Sequence, residues 1–112
     1  MTAYAIGHLH WVDMGVDIVA YLTGIDATLA PFGGRFIIHG ATPQVLEGAF
    51  PGDLIVIAFP DLERARGWYG SDAYQAILPL RLRNSEGDVF LIEGVDADHR
   101  ATDILSAGSG EI

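Results

Sequence analysis

The pattern of positions over Ala3 to Val12 divides with a period of two, placing Tyr4, Ile6, His8 and His10 on one face and Ala3, Ala5, Gly7, Leu9 and Trp11 on the other. That period predicts a strand. The spacing then changes: Ile18, Leu22, Ile25 and Leu29 fall on one helical stripe between Met14 and about Ala30, with Asp17, Thr23 and Asp26 free to face water and Asp13 offered as the cap. Pro31 and Gly33-Gly34 end the helix. A second strand is expected over Arg35 to His39. It is followed by an irregular turn at Gly40-Ala41-Thr42-Pro43, a short extended piece at Val45-Leu46-Glu47 and a turn at Pro51-Gly52.

Leu54 to Phe59 is an uninterrupted β-branched and aromatic run, which reads as a strand apolar on both faces. Asp61 is placed to cap a helix ending near Tyr69. Ser71 or Asp72 is placed to cap another that carries Tyr74, Ile77, Leu78 and Arg81 and is expected to bend at Pro79. Gly87-Asp88 introduces a last strand, Val89 to Glu93. Residues 1–95 form the expected domain, and 96–112, rich in Asp, Ala, Ser and Gly, a mobile or loosely docked tail.

Strand, helix, two strands, helical segment and strand make the ferredoxin-like βαββαβ order, an α+β protomer with a four-stranded antiparallel sheet. Two helices cover one face of such a sheet. Because Leu54, Val56 and Ala58 are as apolar as Ile55, Ile57 and Phe59, the second face also calls for cover, and a homodimer is expected.

The chain has 112 residues, half of them hydrophobic, which suits one domain with a real core. A net charge of −9 disfavours nucleic acid and anionic membranes as partners. The absence of cysteine removes disulfides, thiolate metal sites and thiol nucleophiles. With no leader pattern and no segment of membrane-spanning length, a cytoplasmic protein is the expectation.

The segments Gly33-Gly34-Arg35-Phe36, Glu47-Gly48, Phe59-Pro60, Trp68-Tyr69-Gly70-Ser71 and Tyr74-Gln75, then Arg81 and Glu93-Gly94-Val95, resemble in order the DUF1330 family of the dimeric α+β barrel superfamily. The resemblance runs from Ala3 to Val95. It implies a ferredoxin-like protomer whose sheet pairs with that of a second copy, and a pocket between sheet and helices. It implies no established activity, although the superfamily includes cofactor-free monooxygenases, isomerases and haem-dependent enzymes. The pair His8-x-His10 and the tail after Val95 depart from the family's pattern.

Candidate ligand-binding residues are Arg35, Trp68, Tyr69, Tyr74 and Arg81. Arginine offers a planar fork for a carboxylate or enolate, and aromatic side chains wall small-molecule cavities. The plainer roles are an Arg35–Glu47 ion pair and aromatics packed as core. Arg81 lies seven residues after Tyr74, hence on the same helical face. Candidate catalytic residues are Arg35 as oxyanion holder and His39 or His8 as proton carrier. His8, His10 and His39 could together hold a divalent ion if adjacent strands present them on one face. Hydrogen-bonded core or interface histidines are the commoner case, and no metal or cofactor is assigned. The functional expectation is a homodimer with a small anionic or aromatic ligand and, if an enzyme, cofactor-independent oxygenase or isomerase-like chemistry. The alternative is a non-catalytic dimeric binding or structural module.

Overall fold

The computed structural model describes residues 1–106. Its elements are β1 (Ala3–Val12), α1 (Val16–Leu29), a single 3-10 turn (Ala30–Phe32), β2 (Arg35–His39), β3 (Asp53–Phe59), α2 (Leu62–Tyr69), α3 (Asp72–Leu82), β4 (Ser85–Glu93) and α4 (Asp103–Ser106). The strands form one sheet in the order β2-β3-β1-β4, every neighbour antiparallel. This is the ferredoxin-like arrangement, with α1 to α3 on one face.

Local signals explain most of the boundaries. The carboxylate of Asp61 accepts the N–H of Arg64 at 2.8 Å, and Ser71 Oγ accepts the N–H of Tyr74 at 3.2 Å, so both are helix caps. Gly33 takes φ 69° in the exit from the 3-10 turn, a left-handed conformation that glycine adopts without steric cost. Pro79 lies inside α3 and cannot donate to the Gln75 carbonyl, yet the helix continues to Leu82.

Three expected boundaries are displaced. Asp13 does not cap α1; Gly15 stands at the cap with no side-chain bond, while the Asp13 N–H donates to the Asn84 carbonyl at 2.7 Å. That bond ties the end of β1 to the start of β4, which begins at Ser85 because Val12 and Trp11 pair with Ser85 and Glu86. Glu86-Gly87-Asp88 is therefore strand rather than turn. Val45-Leu46-Glu47 is not a strand, and Leu46 is almost fully exposed.

The core lies between the helices and one sheet face. Ala5, Ile57 and Phe59 meet Tyr21, Ile25 and Leu29 of α1, Ala65 and Trp68 of α2, and Tyr74 and Leu78 of α3. Along β3 the register pairs Ile57 with Ala5 and Val56 with Ile6, so Leu54, Val56 and Ala58 point to the other face with Phe90 and Ile92 of β4. On that open face Phe90 and Ile92 are each nearly half exposed.

Candidate functional site

A pocket of about 250 Å³ lies between the helix-covered sheet face and helices α1 and α3. Leu9, Ile55 and Val89 of the sheet and Ile18, Leu22 and Ile25 of α1 supply apolar walls. Tyr21, Trp68, Tyr74 and Arg81, all buried, form its closed side, whereas Met14, His39 and Asp53 are exposed and mark its open side.

The polar groups of the closed side converge. Tyr21 and Tyr74 share a buried hydrogen bond, hydroxyl to hydroxyl, at 2.8 Å. The guanidinium carbon of Arg81 stands 5.9 Å from the centroid of the Tyr21 ring, within cation–π range. Tyr74 and Arg81 reach the same wall because seven residues are close to two turns of α3. Arg81 is 8% exposed, and among the described residues no carboxylate pairs with it. Burial disfavours the Arg81 cation, but the two tyrosine oxygens oppose that effect and hold its pKa above the usual arginine value. Arg81 therefore stays charged. Burial, followed by the neighbouring Tyr74, pushes the Tyr21 phenol well above the ordinary tyrosine range. Tyr21 is accordingly a neutral donor or acceptor and not a base.

Trp68 is placed by its own hydrogen bond. Its Nε1–H donates to Thr28 Oγ1 at 3.0 Å, and that hydroxyl donates onward to the Ile25 carbonyl at 2.7 Å. The indole packs on Tyr74 with ring centroids 4.2 Å apart and on Phe59 at 5.4 Å. Trp68 thus presents a ring to the pocket while its polar edge is committed to α1. Tyr69 packs against Tyr74 at 5.4 Å and does not line the cavity.

Arg35, expected to grip the ligand, is exposed, and its Cα partner is Ala58 on the open face. Phe36, paired with Ile57, takes the inward position instead, so Arg35 cannot reach a pocket beneath the helices. It makes no ion pair with Glu47 among the described residues. A bulge between Phe36 and Ile38 inserts Ile37 without a partner, after which Ile38 pairs with Val56 and His39 with Ile55. Strict alternation would keep His39 on the face of Arg35; the extra residue brings it to the pocket, stacked on Phe36 with centroids 4.3 Å apart. His8 remains on the open face, its Nε2 2.6 Å from the Pro51 carbonyl oxygen and its ring stacked on Phe50. Of the candidate catalytic residues only His39 adjoins the pocket, and the three histidines do not converge.

Tyr21 is the pocket residue that the hydrophobic stripe omits. It lies three residues after Ile18 and four before Ile25, which puts its ring on the buried side of α1. Its hydroxyl finds its tyrosine partner on α3.

The geometry so built can hold an anion: one charged fork, two phenol groups and an apolar chamber. Comparison with solved structures agrees on the architecture. The methylated form of a Rhodopseudomonas palustris protein, RPA0582, superposes with TM-score 0.66 at 11% identity, covering 88% of this chain and 84% of that one. SnoaB, a cofactor-independent oxygenase from Streptomyces nogalater, has TM-score 0.53 at 11% identity, covering 88% and 96%. A dimeric ferredoxin-like protein of unknown function from Jannaschia sp. CCS1 has TM-score 0.52 at 12% identity, covering 84% and 100%. No curated protein matches this chain. Residues 2–95 match the model of a family described as a domain of unknown function, DUF1330. The chain belongs to that family.

Proposed function

We propose that this DUF1330 protein acts as a homodimer that binds a small anionic ligand with an apolar or aromatic body in the pocket between its helices and sheet. The observation that carries the reading is Arg81, a buried cation on the cavity wall with no carboxylate to neutralise it. Only the two tyrosine oxygens support the cation, and a bound carboxylate, phenolate or enolate would supply the charged partner they lack. The Tyr21 and Tyr74 hydroxyls stand beside it; one donates to the other, which leaves one O–H for a ligand.

Two observations support the homodimer. The open sheet face carries Ile38, Phe90 and Ile92 exposed beside Val56. A solved structure of the same fold, the Jannaschia sp. CCS1 protein, is described as dimeric.

If the protein is an enzyme, the groups present suit cofactor-independent oxygenase or isomerase-like chemistry. Arg81 would stabilise an oxyanion and His39 would move a proton at the open side. SnoaB, which shares the fold, is named as a cofactor-independent oxygenase. A second reading is a non-catalytic dimeric binding or structural module, favoured by the commitment of Trp68 Nε1 to Thr28 and of the two tyrosine hydroxyls to each other. The deciding experiment is a thermal-shift screen of aromatic and keto acids on the wild type and Arg81→Met. Saturable stabilisation that vanishes in the variant supports the anion pocket. Failure of the whole panel to stabilise the wild type favours the structural module.

A further inference from the structure

On the opposite face of the sheet from the pocket, His8 and His10 of β1 meet Asp88 of β4. His8 and Asp88 are direct Cα partners, and His10 lies two residues on, at the point where the β1–β4 register shifts. His10 Nε2 is 3.5 Å from an Asp88 oxygen, and the two imidazole rings are in edge contact with centroids 4.7 Å apart. One ligand atom from each of the three side chains lies within 4.8 Å of the others. We propose that His8, His10 and Asp88 form a binding site for a divalent transition-metal ion, with coordination positions left open for water or a small exogenous ligand.

The donor set suits such an ion, since two imidazoles and a carboxylate are ligands for zinc and its first-row neighbours. Donors bound at ~2.0–2.1 Å around a tetrahedral ion sit about 3.4 Å apart. The His10–Asp88 separation already meets that spacing. The remaining adjustment falls on side chains free to rotate, because those of His10 and Asp88 are 42% and 74% exposed.

His8 is the anchored member. Donation of its Nε2–H to the Pro51 carbonyl leaves Nδ1 with the lone pair, and the stack on Phe50, 4.1 Å between centroids, fixes the ring plane. A histidine whose second nitrogen donates to a carbonyl is the usual arrangement behind a metal ligand. The loop that supplies Phe50 and Pro51 is pressed against β1 at Gly52. A Cβ there would collide with the Leu9 carbonyl oxygen, and φ is +88°. The chain's net charge of −9 further favours a cation over an anion at this exposed place.

The test is titration of untagged, metal-free protein with Zn²⁺ by calorimetry and with Co²⁺ by visible absorption. One equivalent per chain, with Co²⁺ bands typical of fewer than six ligands, is expected. His10→Ala and Asp88→Asn, both at exposed positions, should keep the far-UV circular dichroism and weaken binding at least about ten-fold. His99→Gln should bind as the wild type does. Absence of stoichiometric binding, or binding unchanged in both His10→Ala and Asp88→Asn, overturns the proposal. The pocket lies across the sheet, so either result leaves the Arg81 screen unaffected.

Discussion

The hydroxyls of Tyr21 and Tyr74 lie 2.8 Å apart, and this bond joins α1 to α3 at the closed side of the cavity. Each buried phenol satisfies the other, with Arg81 beside them. The pair serves the fold and the candidate site at once, which makes its two functions separable by substitution.

Tyr74→Phe removes one oxygen and leaves the Tyr21 hydroxyl with Arg81, a donor only, beside it. A loss of ~1–3 kcal/mol in urea denaturation is expected. The double variant Tyr21→Phe/Tyr74→Phe should cost less than the sum of the single changes, because it leaves no orphaned hydroxyl.

Alkaline pH should weaken the fold through Tyr21. Its folded pKa is raised, so the native state retains a proton that the unfolded chain releases near pH 10. That contribution to stability is fully present below about pH 10 and declines as pH rises above it. Chemical denaturation at a series of pH values should show a steeper alkaline decline for the wild type than for Tyr21→Phe.

Arg81→Met exchanges a buried cation supported by two tyrosine oxygens for an apolar chain of similar length. Stability in the absence of ligand should be nearly unchanged, since apolar packing offsets the lost contacts with those oxygens. A large fall in melting temperature would instead assign Arg81 a structural role.

Phe90→Glu places a charge on the open sheet face, where Phe90 is 46% exposed in the single chain. The homodimer should dissociate, with light scattering giving the monomer mass, while circular dichroism keeps its shape. A wild type that is already monomeric at micromolar concentration would refute the interface itself.

Much of the fold was legible from local pattern. The period-two run of β1, the apolar run of β3, the Asp61 and Ser71 caps and the glycine exit after α1 all act within a few residues, so their positions follow from the residues themselves. Tyr74 and Arg81 were also legible as neighbours, because helical geometry alone brings them to one face. Arg35 and His39 were not. Which face a strand residue occupies depends on register and bulges, and the unpartnered Ile37 changes the answer for His39 while leaving Arg35 outside.

The element order, the ferredoxin-like topology, the family and an aromatic-cationic cluster near α3 are legible in the chain alone. Those properties rest on spacing and composition along one stretch of chain. Tertiary packing alone sets Tyr21 beside Tyr74, leaves Arg35 on the other face, and brings Asp88 rather than His39 to His8 and His10. Each of these is a meeting of residues distant along the chain, set by helix packing or by one residue of strand register. No local propensity encodes such a meeting.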